Sequence, residues 1–165
     1  MQLIAYLENA FGIGYEERNN SIWTASFSLP ADDHKTSECQ PLRFAEIFDG
    51  DERVDLFRIV PKQTQRSMDG KTITYSCEHV LATLLDDILF QYHQIGGAGI
   101  PTGDVIAYIL SKQSMPRWQL GTCDFSAEYA YNYENANLLS ALWAVTEPLD
   151  GEYQWTWDTT TTPWT

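Results

Sequence analysis

Residues 73–85, ITYSCEHVLATLL, change their hydrophobic period in mid-run. Ile73, Tyr75 and Cys77 alternate with more polar neighbours, the period of two that a half-buried strand requires. Val80, Leu81, Leu84, Leu85, Ile88 and Leu89 instead fall on one stripe of a 3.6-residue repeat. A chain that switches period at one joint places β-structure before it and helices after it, so the expected fold class is α+β. Ser76 is a candidate N-cap and Glu78 suits a first turn, which predicts a helix over residues 80–90.

Upstream of the joint the sequence reads as hairpins. In SIWTASFSL, Trp23, Ala25, Phe27 and Leu29 share one face of a strand. Arg18-Asn19-Asn20-Ser21 supplies a turn to a partner near residues 12–17, because Asn tolerates positive φ. Pro30-Ala31-Asp32-Asp33 ends that strand. VDLFRIV (54–60) and KTITYS (71–76) form a second hairpin, with Met68-Asp69-Gly70 as its turn.

Downstream, Ile95-Gly96-Gly97-Ala98-Gly99 reads as a loop. A second helix starts near Thr102 with stripe Val105, Ile106, Ile109 and Leu110, and stops before Pro116. Residues 118–125 read as a short strand. A third helix runs from about Asn135 with stripe Leu138, Leu139, Leu142 and Trp143, and ends before Pro148. EYQWTWD closes as a strand with Tyr153, Trp155 and Trp157 on one face. An aromatic strand of this kind needs a partner, from this chain, another subunit or further sequence.

Composition excludes several functions. The net charge is −13, and residues 81–165 hold only Lys112 and Arg117 against ten acids. Nucleic-acid binders need basic stripes that displace phosphate counterions, so specific DNA or RNA binding is not expected, and anionic membranes repel such a chain. No run approaches the roughly 18 apolar residues of a spanning helix, and the N-terminus lacks a basic n-region. Hydrophobic residues at 44% suffice for a core, and the aromatic share of 13% favours β-structure and broad contact surfaces. Cys39, Cys77 and Cys123 are odd in number and far apart, so reduced thiols are expected.

Cys77-Glu78-His79 is the one cluster of reactive residue types. On a helix, consecutive side chains diverge by about 100° and cannot meet at one ion. On a strand, only Cys77 and His79 share a face, and no HxxxH or CxxC completes a ligand set. A Cys-His nucleophile also needs a group orienting the base, and His34 and His93 fall in expected loops. A buried core thiol is the expectation, with no metal and no cofactor. Gly96-Gly97-Ala98-Gly99 lacks the Lys-Ser/Thr of a phosphate loop. Asp49-Gly50-Asp51-Glu52 lacks the later bidentate glutamate of a calcium loop, and reads as a solvated turn. Asp86-Asp87 reads as the polar side of a helix.

The ordered segments WTASFSLPADD, EIFDGDERVDLFRI, ITYSCEHVLATLLDDILF, TGDVIAYIL…RWQLG, YNYENANLLSAL and YQWTWDTTTTPWT resemble the N-terminal region of phage minor tail proteins. These are the tail-associated hubs of siphophages and Gram-positive prophages, many of which carry an endopeptidase or lysin domain further on. The resemblance spans nearly the whole chain. It implies that Glu78-His79-Val80 is a structural joint. It also implies a baseplate-hub-like architecture: a partial, barrel-like tube domain over 1–80, an inserted α/β domain over 81–150, and the first returning β-strands over 151–165. Family members continue past DTTTTPWT, with later strands completing the barrel.

The resulting expectation is a non-enzymatic virion component, made in the bacterial cytoplasm and located in the tail. It self-associates, as a trimer ring, between tail tube and tip. Its partners are the tail tube, distal tail and tape-measure proteins. The acidic surplus suits a conduit that does not grip DNA. Trp23, Phe27, Tyr153, Trp155, Trp157 and Trp164 are the candidate interface residues. The alternatives are a carbohydrate-binding module, in which these aromatics stack on sugars of the host wall beside Asp158, and a Cys77/His79 peptidase.

Overall fold

Strand β6 (Thr72–His79) is the strand that the first half of the fold is built around. In the computed structural model, which describes residues 2–60, 65–66, 71–149 and 153–165, β6 pairs antiparallel with β2 (Thr24–Pro30) on one side. On the other it pairs with β4 (Glu52–Ile59) and the two-residue β5 (Gln65–Arg66). β1 (Phe11–Glu16) extends the sheet beyond β2, and β3 (Phe44–Asp49) extends it beyond β4. The order is β1-β2-β6-β4-β3, antiparallel throughout. Tyr15 Oη on one edge strand donates to Asp49 Oδ2 at the end of the other, 3.2 Å away, so the sheet is curled into a half-barrel.

Alternation sets what this sheet buries. Ile73, Tyr75, Cys77 and His79 of β6 are all buried. They meet Ala25, Phe27 and Leu29 of β2 across the ladder, and Phe57 and Ile59 of β4. The ladder pairs Phe27 with Tyr75, whose rings stack at 5.1 Å. Asn20 takes φ 54° in the first turn, and Gly50 takes φ 62° in the tight β3–β4 turn. The sequence Asp49-Gly50-Asp51-Glu52 is therefore a hairpin turn, with Asp49 paired to Glu52. Met68-Asp69-Gly70 lies outside the described residues. Asp33 caps the 3-10 turn His34–Glu38 by accepting the Lys35 N–H at 2.7 Å. Asn9 donates to its other oxygen, which holds the Asp33 carboxyl below its ordinary range.

The chain divides into two units, Met1–Val80 and Leu81–Thr165. The expected helix over 80–90 is not there. A 3-10 stretch, Val80–Leu85, is followed by strand β7 (Ile88–Gly96). Ser76 and Glu78 lie within β6, not at a helix start, and Asp86-Asp87 link the 3-10 stretch to β7. Of the expected stripe Val80, Leu81, Leu84 and Leu89 are buried, whereas Leu85 and Ile88 are exposed. A run this short does not separate helix from strand, and ILFQYHQI is rich in β-formers.

β7 pairs antiparallel with β8 (Ala130–Asn137), a strand the sequence reading missed because Asn and Ala dilute its alternation. Residues 118–125, expected as a strand, form only one isolated bridge, Trp118 to Trp164. Helix α1 (Thr102–Leu110) buries Val105, Ile106 and Ile109 as expected. Helix α2 (Leu138–Val145) starts later than Asn135, because Asn137 is its N-cap and accepts the Ser140 N–H at 2.8 Å. No strand forms after β8 among the described residues, so the returning strands expected over 151–165 are absent there. Residues 153–165 belong to the second unit.

Gly96 ends β7 with φ 86°, and a Cβ there would sit 2.2 Å from the Tyr129 carbonyl oxygen. Gly96→Ala is therefore expected to destabilise the chain by about 2 kcal/mol or more, read by urea denaturation. Unchanged stability would show that the β7 end relaxes freely.

Candidate interaction site

The Cys-Glu-His run is strand, and that decides its chemistry. Cys77 and His79 point into the core, while Glu78 points away and receives Arg58 at 2.7 Å and 3.0 Å. Two residues along a strand separate the Cys77 and His79 backbones by about 6.6 Å. His79 is fully buried between Trp23 (5.7 Å between ring centroids) and Phe57 (5.8 Å, edge-on). Its Nε2 lies 3.1 Å from Asp55 Oδ2. The other Asp55 oxygen accepts the Leu56 N–H at 2.7 Å and faces Arg53 Nη1 at 3.4 Å, and Arg53 donates to Glu46. Sequence reasoning missed this buried polar chain. Its only trace was an aspartate inside the apolar run VDLFRIV.

Burial raises the Cys77 thiol to about 12 and the Cys39 thiol to about 11. A thiol held neutral in this way is a poor nucleophile at neutral pH. His93, expected in a loop, lies in β7, where Nδ1 meets Tyr108 Oη at 3.0 Å. His34 lies in the 3-10 turn. Among the described residues no group of three or more His, Cys, Asp or Glu side chains is placed to hold a metal.

The six candidate aromatics divide between the units. In the first, Phe27 is 3% exposed inside the core, and Trp23 is half-buried with its Nε1 donating to the Arg18 carbonyl. Phe27 therefore presents no face for a sugar. In the second, Trp164 is buried edge-on against Trp118 at 5.2 Å. Trp155 meets Trp143 at 5.6 Å. Trp155 and Trp157 are half-buried and Tyr153 is exposed. Tyr153, Trp155 and Trp157 line a cavity of about 440 Å³ with Trp118, Leu120 and Trp143.

Exposed apolar surface occurs elsewhere. Every residue of edge strand β1 is exposed, including Phe11, Ile13 and Tyr15 at 42–50%. Leu3, Ile4 and Tyr6, just before it, are at least 60% exposed. Ile88, Phe90 and Tyr92 of β7 are also exposed, on either side of a register shift. Periodicity marks a face as apolar but is silent on what covers it, so the sequence alone did not single these out. No protein-family model matches the chain, and no curated protein matches it.

Two measurements check this site. Iodoacetamide should leave Cys77 unmodified at neutral pH until the chain is denatured, whereas rapid native labelling would indicate an accessible thiolate. Raised thiol values in the fold also set a sign. A free thiol ionises near ~8.5, so stability present at neutral pH should fall as pH rises from there toward the folded values. Cys77→Val should show a shallower fall, read by urea denaturation at each pH; an identical slope would contradict the burial.

Proposed function

We propose that the chain is a non-enzymatic structural module of a phage or prophage tail tip. It is a hub-type component that self-assembles, as a trimer, into the ring between tail tube and tip. The ordered segment pattern supports the family, and one structural observation supports assembly. β1 is an edge strand of the curled sheet whose apolar side chains are all exposed. Natural edge strands are blunted by lysine, proline, a β-bulge or a covering element, and β1 has a register shift between Phe11 and Gly14. β1, FGIGYE, has neither residue, and its only charge is Glu16. Such an edge suits heterologous contacts that close by rotation into a ring. The tail tube, distal tail and tape-measure proteins are the remaining partners of this reading, and the net charge of −13 suits a conduit that does not retain DNA.

A second reading, docking on wall carbohydrate, draws on Tyr153, Trp155 and Trp157 at the cavity. It no longer draws on Phe27 or Trp164, which are buried. Titration with soluble wall fragments, followed by Trp fluorescence, tests it.

The assembly reading is tested by light scattering after size exclusion. The wild-type chain should run as a trimer and Ile13→Lys as a monomer. Stability of the variant should stay within about 0.5 kcal/mol, as for other surface substitutions. A wild-type monomer at high concentration, or an Ile13→Lys trimer, would overturn it.

A further inference from the structure

The β7–β8 ribbon is kinked at one point, and the kink is held from several directions. Leu89 pairs with Ala136 and Tyr92 with Glu134, so three steps along β7 face two along β8. One residue is extra, which makes a β-bulge. Gln91 (φ 67°) and Asn135 (φ 48°) both take left-handed backbone there, and the Gln91 N–H donates to Asn135 Oδ1 at 2.9 Å. Asn adopts that region readily, but a glutamine in it costs free energy that its surroundings must offset. His93 supplies part of the hold. Its Nε2 lies 2.9 Å from the Phe90 carbonyl, which can only accept, so Nε2 carries the hydrogen. Its Nδ1 meets Tyr108 Oη of α1 at 3.0 Å. The two ring nitrogens thus tie the bulge to the helix.

The bulge displays a mixed aromatic and polar face. His93 and Ile95 lie on the inward side of the ribbon, with ladder partners Tyr133 and Tyr131, both buried. Tyr92 and Gln94 take the opposite side, with partners Glu134 and Asn132, and all four are exposed. Tyr92 Oη donates to Asn132 Oδ1 at 2.7 Å, which orients the ring and leaves the Asn132 amide nitrogen as a donor. Across Gln91 from Tyr92, Phe90 is 67% exposed. Bulges re-aim side chains in this way beside functional sites.

We propose that this face binds a linear, uncharged glycan laid along β7, with sugar rings against Tyr92 and Phe90. Sugars with equatorial hydroxyls expose flat faces of partly positive C–H bonds, which suit the negative face of an aromatic ring. Their rim of hydroxyls suits side-chain amides and carboxylates. Gln94, Asn132 and Glu134 supply those groups beside the Tyr92 ring. Charge narrows the ligand further. Glu134 is the one charge among the four residues, on a chain of net charge −13, so phosphate or uronate polymers are repelled. The core of a protein–protein contact is instead apolar and depleted of charge, whereas polar side chains flank the ring here. The site is separate from the cavity at Trp155, and it does not rest on the tail reading.

The test titrates the isotope-labelled full chain with cellotetraose and with chitotetraose, two neutral probes with equatorial hydroxyls, and follows backbone amide shifts. The expected result is saturable shifts at residues 90–94 and 132–134 with at least one probe. Tyr92→Ala should weaken binding roughly tenfold, as truncation of an aromatic anchor does. Tyr92→Phe, which keeps the ring, should bind as the wild type does. No shifts with either probe at millimolar sugar, shifts confined to residues 153–157, or equal affinity in Tyr92→Ala would each overturn the proposal. Shifts at residues 90–94 on concentrating the chain without sugar would assign the face to self-association and overturn it too.

Discussion

The ladder between β2 and β6 is the constraint on which the first unit depends. Seven consecutive residue pairs, from Thr24–Glu78 to Pro30–Thr72, lock the register of two strands whose alternate side chains are the core. A one-residue slip would turn Phe27, Leu29, Tyr75 and Cys77 outward and Ser26, Thr74 and Glu78 inward. The same register carries His79 inward to Asp55 and Glu78 outward to Arg58, so two polar contacts of opposite face report one alignment. The chemistry of Cys77-Glu78-His79 is a by-product of that alignment. Its imidazole and thiol are structural contents of a core, and each is a consequence of strand parity.

What was legible in the sequence follows from which signals are local. The β1–β2 turn, the inward set of β2 and β6, and the buried stripes of both helices were all readable, because each is fixed by periodicity and a turn or cap residue within a few positions. The run after His79 was not, since Val80–Leu85 and Ile88–Gly96 are both apolar, and only tertiary pairing with Ala130–Asn137 makes the second a strand. β8 itself was hidden by its asparagines. The aromatic candidates fared unevenly for a similar reason. Trp155 and Trp157 do line a cavity, but Phe27 and Trp164 are packed inside, and alternation cannot tell a face that meets a core from one that meets a partner.

The units then present different kinds of open surface. The first offers an uncovered strand edge, β1, with exposed apolar side chains and almost no charge in a strongly acidic chain. The second offers an apolar cavity beside Trp143 and Trp155. The proposed assembly would use the first of these surfaces, and the Cys77 thiol that a peptidase would need is buried and held neutral.

The most direct test of association through the β1 edge is amide exchange as a function of protein concentration. The account predicts that the β1 amides facing away from β2 become protected as concentration rises, while the amides of the β2–β6 ladder are protected throughout. Fast exchange along β1 at every concentration, in a sample shown to be oligomeric, would contradict it.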